Sequence, residues 1–90
     1  MTQITAIILT FNEEKHIARC IQSLQAVCSR ICIIDSHSTD RTVDIARDLG
    51  AEVYSHVWEN NYAKQLNWGI QEAHIQSAWT LRIDADEYLT

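Results

Sequence analysis

Residues 4–35 read ITAIILTFNEEKHIARCIQSLQAVCSRICIID, and this stretch decides the fold. Its first six residues, Ile-Thr-Ala-Ile-Ile-Leu, are β-branched and nearly all apolar, which suits a strand buried on both faces. Asn12 follows as a good N-cap, with Glu13 and Glu14 in the first turn where the helix dipole favours acids. Ile17, Cys20, Ile21 and Leu24 then recur at i, i+3, i+4 and i+7, one face of a helix. Residues 31–34, Ile-Cys-Ile-Ile, form a second buried run. A strand, a helix and a strand in 32 residues is a βαβ unit with a parallel pair.

The pattern continues outward. Ser38, Thr39 and Asp40 offer N-caps for a helix carrying Val43, Ala46 and Leu49, and Gly50 sits where a left-handed C-cap residue belongs. Residues 52–57 predict a third strand, more polar and so at an edge. Ala63, Leu66, Ile70 and Ala73 make a third helical face, and residues 79–83 predict a fourth strand. The order β-α-β-α-β-α-β implies an α/β, Rossmann-like parallel sheet with right-handed crossovers. Such sheets hold ligands outside the carboxyl ends of their strands, at a topological switch point.

Composition narrows the function. The 90 residues are 47% hydrophobic and 21% charged, ordinary for one compact soluble domain or a piece of a larger one. A net charge of −5, without a Lys/Arg cluster, does not suit tracking of a nucleic-acid backbone. The longest apolar runs, 6–9 and 31–34, span four residues each, too short for a transmembrane helix or a signal peptide. Three cysteines with no CxxC pair fit a reducing compartment. The expected location is cytoplasmic, with peripheral attachment at the inner face of a membrane. Gly50 and Gly69 are the only glycines, which excludes both common glycine-rich phosphate loops.

Acidic and polar groups gather after the strands: Asn12, Glu13 and Glu14 after the first, Asp35 after the second, and Asp84, Asp86 and Glu87 after the fourth. Crowded carboxylates raise each other's pKa unless a cation or a donor-rich ligand sits among them. Residues i and i+2 of a strand face one side, so Asp84 and Asp86 can share a hard divalent cation with the phosphates of a nucleoside diphosphate. A solvated acidic turn is the plainer reading of the same pair. An EF-hand needs a glycine and a further acid that the sequence lacks. Asp35 has two readings, an acceptor for a base N–H or an Asx turn into the next helix. His37 is close enough in sequence to share its site. No histidine pair has zinc-site spacing, and the cysteines read as buried apolar residues. Lys64 is either a phosphate ligand or a solvated helix lysine. Trp58, Trp68 and Trp79 read as packing residues, with Trp58 near the rim.

Four blocks now stand in order: residues 4–14, 33–42 (Ile-Ile-Asp-Ser-His-Ser-Thr-Asp-Arg-Thr), 61–70 (Asn-Tyr-Ala-Lys-Gln-Leu-Asn-Trp-Gly-Ile) and 81–87 (Leu-Arg-Ile-Asp-Ala-Asp-Glu). Together they resemble the N-terminal, nucleotide-sugar-binding half of family 2 glycosyltransferases, which have the GT-A fold. The resemblance covers essentially the whole chain. It implies that Thr10, Phe11, Asn12 and Glu13 frame the nucleotide base and that Asp35 hydrogen-bonds it, usually as uracil. It further implies that Lys64 and Asn67 approach the base or diphosphate. Asp84 would face the ribose or metal region, and Asp86 would coordinate Mg²⁺ or Mn²⁺. The implied partners are a UDP-sugar and a glycan or lipid-linked acceptor, in cell-surface polysaccharide biosynthesis.

Two departures stand out. Ser36 and His37 replace the Asp-Gly that often follows the family's Asp35 equivalent; if that glycine position needs a positive φ, His37 carries strain. Leu66 stands where an arginine is common, which passes the phosphate contact to Lys64. Inverting transfer also needs a base to deprotonate the acceptor, and that base is expected beyond residue 90. The chain therefore reads as a donor-binding half, inactive alone, with a non-catalytic nucleotide-binding module as the alternative. A receiver-like domain would want an acid after the third strand, where Ser55, His56, Val57 and Trp58 stand. The fourth strand is expected to leave an open edge that invites self-association.

Overall fold

The computed structural model describes residues 4–75 and 79–83. Its elements are β1 (Ile4–Thr10), α1 (Ile17–Leu24), β2 (Arg30–Asp35), α2 (Thr42–Asp48), β3 (Glu52–Ser55), α3 (Tyr62–Glu72) and β4 (Trp79–Arg82). The strands form one parallel sheet in the order β3-β2-β1-β4. The α/β, doubly wound architecture is therefore the expected one. β3 is the polar edge strand and ends at Ser55, two residues before the expected limit.

The two apolar runs occupy the centre of the sheet. β1 and β2 pair from Thr5↔Arg30 to Thr10↔Asp35. Alternation sorts their side chains between two layers. Ala6, Ile8, Ile31 and Ile33 pack with Ile17, Cys20, Ile21 and Leu24 of α1 and with Ala46 of α2. Each fully buried Ile or Leu contributes roughly 1.5–3 kcal/mol of transfer free energy, so this layer dominates stability. Burial pushes the Cys32 thiol up to about 11 and raises Cys28 as well, in keeping with the apolar role expected of the cysteines.

The opposite face is covered by α3. Its buried positions are Gln65 and Gly69, followed by Ala73 at the C-cap; Leu66 and Ile70 are half-buried and Ala63 is exposed. The expected stripe is thus rotated, because the helix approaches the sheet through a glycine. A methyl group on Gly69 would lie 2.5 Å from Ile34 Cγ1 and 3.2 Å from Ile7 Cδ1. Asn61 caps α3 by accepting from the Lys64 N–H at 3.1 Å. Gly50 takes φ +87. Its N–H donates to the Arg47 carbonyl and that of Ala51 to the Ala46 carbonyl, the paired bonds of a Schellman cap.

One expected start is corrected. Asn12 does not cap α1; it adopts φ +52, and its side chain bonds elsewhere. Residues 13–16 form a turn in which His16 and Ile17 both donate to the Glu13 carbonyl, so the helix begins at Ile17 and neither glutamate lies in its first turn. Asparagine tolerates the left-handed region, which lets the chain reverse directly after β1.

A polar clasp ties β2 and β3 to the end of α3. Arg30 donates to both Glu52 oxygens, at 2.6 and 2.7 Å, and to the Ala73 carbonyl at 2.6 Å. Tyr54 donates to the same carboxylate at 2.8 Å. The Arg30 hydrogen bonds hold Glu52 below the usual carboxylate range.

Gly69→Ala is expected to lower stability. The helix gains about 1 kcal/mol from the propensity of alanine, but over-packing against buried Ile34 costs about 1–3 kcal/mol. A denaturant midpoint unchanged or raised would show that Ile34 has room to shift.

Candidate functional site

β2 and β3 lie on one side of β1 and β4 on the other, so strand order reverses between β1 and β4. The carboxyl edge beside this switch point is where the chain's unusual geometry collects. Thr10 and Asp35 are register partners at the ends of β1 and β2. The Thr10 hydroxyl donates to Asp35 Oδ1 at 2.7 Å. Ser38 donates twice, from its N–H to Oδ2 at 2.7 Å and from its hydroxyl to Oδ1 at 2.5 Å. Asp35 is 1% exposed. The turn reading of this residue is what the fold uses, and one acceptor position on Oδ2 remains outside these three bonds.

The loops after β1 and β2 are zipped together. The Asn12 N–H donates to Ser38 Oγ at 2.8 Å, and Asn12 Oδ1 accepts from the Thr39 N–H at 2.8 Å. The Glu13 N–H donates to Thr42 Oγ1 at 2.8 Å, and the Thr42 hydroxyl in turn donates a hydrogen bond to Asp40 Oδ1. Asp40 also accepts from the Thr42 N–H at 2.9 Å and the Glu14 N–H at 3.2 Å. None of the three offered caps is the N-cap of α2, which is Arg41; Asp40 instead accepts from the first helical N–H, that of Thr42. Desolvation works against its ionisation, but the bonds from Thr42 and Glu14 outweigh it and hold Asp40 below its ordinary value. His37 takes φ +58 within this loop. The positive φ expected at the missing glycine is present.

Above the zipped loops, on the α3 side, lies an apolar cleft of about 340 Å³ lined by Leu9, Thr10, Phe11, Ser36, Trp58 and Tyr62. Phe11 is 57% exposed and Trp58 42%. The Arg82 guanidinium sits 5.1 Å from the Tyr62 ring centroid, a cation–π contact that braces the ring.

The structure sorts the expected site residues plainly. Thr10 and Phe11 reach the cleft. Asn12 and Glu13 hold the loop instead of lining the cleft. Lys64 and Asn67 are exposed on α3 and do not line it. Asp84 and Asp86 lie outside the described residues. Among the described residues, no group of three His, Cys, Asp or Glu could hold a metal ion. Sequence reading missed Tyr62; of the tryptophans read as packing residues, Trp58, expected near the rim, lines the cleft and Trp79 is 63% exposed. The available signal was the placement of Trp58 and Tyr62 between a strand end and a helix start, where aromatic rings face ligands as readily as core.

The profile of Glycosyl transferase family 2 matches residues 5–90. The chain belongs to that family. An uncharacterized glycosyltransferase of Rickettsia typhi is 40% identical over 90 residues, covering 100% of this chain and 30% of its own. The chain thus spans about a third of the length of the curated relatives it matches first. Glucosyl-3-phosphoglycerate synthase of Mycobacterium tuberculosis, solved in complex with UDP, superposes with a TM-score of 0.75 at 25% identity, over 96% of this chain and 34% of that one. TarS of S. aureus gives a TM-score of 0.79 at 25% identity, over 97% and 28%. Among the described residues no helix is long and apolar enough to cross a membrane.

Asp40 gives a pH prediction. Its carboxyl is depressed in the folded state, so its contribution is full above its unfolded value and lost as pH falls through the folded one. Glu52 acts in the same direction. The thermal midpoint should therefore fall on acidification below about pH 4, and less steeply in Asp40→Asn. Equal acid slopes for the two proteins would remove Asp40 from the latch.

Proposed function

We propose that this chain forms the donor-binding part of an inverting glycosyltransferase that moves a sugar from a UDP-sugar to a glycan or lipid-linked acceptor. The observation that carries the reading is the aromatic cleft at the carboxyl edge, built from the end of β1 and from residues that follow β1, β2 and β3. Exposed Phe11, Trp58 and Tyr62 offer flat apolar faces for a planar base, and such stacking is worth about 1–3 kcal/mol per base. Family membership and the UDP complex of the mycobacterial enzyme support the nucleotide.

In this reading Thr10 and Phe11 hold the base, while Asn12 and Glu13 keep the loop that presents them. Asp35 uses its remaining acceptor position on Oδ2 for the base. Lys64 and Asn67 serve the diphosphate from the exposed side of α3, which requires the ligand to extend past the cleft. Asp84 and Asp86 are oxygen donors of the hardness that suits Mg²⁺ or Mn²⁺. Such an ion, when bound, neutralises charge on the leaving nucleoside diphosphate. The base that deprotonates the acceptor is assigned to the part of the longer relatives that this stretch does not cover. Cell-surface polysaccharide synthesis at the inner face of the cytoplasmic membrane is the expected setting. Self-association through the outer edge of β4 belongs to the same reading.

Calorimetric titration with UDP, with and without Mn²⁺, tests this. UDP should bind more tightly with Mn²⁺, and Asp86→Ala should abolish the metal-dependent increment while leaving the metal-free affinity within about twofold, since the stacked base remains. No UDP binding under either condition would sink the donor reading. A metal increment that survives Asp86→Ala would sink the metal assignment alone.

A further inference from the structure

One buried polar side chain touches the cleft from behind. Gln65 is 1% exposed and sits under α3 between Ser36 and His56. Its Nε2 donates to Ser36 Oγ at 3.0 Å and faces the His56 carbonyl at 3.5 Å; its Oε1 lies 2.8 Å from His56 Nδ1. A backbone carbonyl only accepts, which agrees with the amide placed with its NH₂ on that side. Oε1 then accepts from His56 in the tautomer that carries the proton on Nδ1. The His56 ring is itself held by stacking on Trp68, with centroids 4.2 Å apart. The direction of every bond in this chain follows.

The consequence falls on Ser36, the cleft-lining member. Its Oγ accepts a hydrogen bond from Gln65, and its N–H is spent on the Thr10 carbonyl at 2.9 Å. Among the described residues nothing accepts the proton of its own hydroxyl. Leu9, Phe11, Trp58 and Tyr62 surround it with apolar and aromatic wall. We propose that Ser36, aimed by Gln65 and His56, is the cleft's hydrogen-bond donor and selects a base that presents a carbonyl oxygen to it. This rests on the nucleotide reading above and sharpens it. A uracil-type ring stacked in the cleft supplies such an oxygen. Gln65 is a positioning residue, since it acts only by setting the polarity of Ser36.

The test is to titrate the protein with UDP and with uridine, following Ser36→Ala, Gln65→Leu and the double variant. One neutral hydrogen bond corresponds to about a five- to tenfold loss of affinity. Ser36→Ala should weaken both ligands by the same factor, because the contact is to the base. Gln65→Leu should weaken uridine less than Ser36→Ala does, and add nothing in the Ser36→Ala background. A loss confined to UDP would place Ser36 on phosphate and overturn the proposal. Unchanged uridine affinity in Ser36→Ala, with wild type binding, would also overturn it, as would independent, additive losses from the two substitutions. Wild-type protein that binds neither ligand would instead remove the nucleotide reading on which it stands. Thermal midpoints of the variants separate loss of fold from loss of contact.

Discussion

Asp35 ends β2 with its carboxylate 1% exposed, and a group so placed is tolerated because Thr10 and Ser38 donate three hydrogen bonds to it. Removing one partner from such a site leaves a buried acceptor short and costs about 1–3 kcal/mol. The Thr10 bond clips the ends of the two central strands together. The Ser38 bonds curl the following loop so that His37 must enter the left-handed region, and they place Ser38 Oγ where the Asn12 N–H reaches it. From there the zipper runs through Thr39, Thr42 and Asp40 to the start of α2. Thr10 and Ser36, on either side of this carboxylate in the sheet and in sequence, form the polar part of the cleft.

The rim thus combines a rigid polar loop pair with a loosely covered aromatic wall. The loop pair contributes few atoms to the cleft; its role is to fix where Thr10, Phe11 and Ser36 stand. The wall comes from the segment between β3 and α3 and is largely exposed. This division suits a ligand with a flat apolar part and a charged part: stacking needs area, whereas hydrogen-bond selection needs fixed donors.

The fold was legible because hydrophobic pattern and turn chemistry agree. Two β-branched runs flanking an i, i+3, i+4, i+7 stripe leave little choice but a parallel pair, and Gly50 marks the end of α2 by the one conformation glycine makes cheap. The polarity of 52–57 placed β3 at an edge. Asn12 was misread because an N-cap and a left-handed turn residue share the same side chain, and only the partner loop, some 27 residues on, decides between them. The α3 face was misread because Gly69 carries no hydrophobic signal, yet its lack of a side chain is what lets the helix close on Ile34. Thr10 and Phe11, named from a block of sequence, line the cleft, whereas Asp35 is not among its lining residues and is held in the turn to Ser38. Gln65 was out of reach, since a buried glutamine on a helix looks like any solvated one until its partners are known. Lys64 and Asn67 were read from their block, and helix rotation turns them away from the cleft.

The position of β4 has a consequence for synthesis. Of the four strands β1 leaves the ribosome before the others, yet one of its two neighbours, Trp79–Arg82, is separated from it by two strands and three helices. At about 5–20 residues per second, the intervening stretch takes roughly 4–14 seconds to make. β3 ends at Ser55 and β4 begins at Trp79, so for roughly 1–5 seconds of that time a three-stranded nascent sheet waits with the β1 edge bare. An edge of that kind recruits any extended segment nearby. The centre of the sheet is thus built against a bare edge that only the late-made β4 covers.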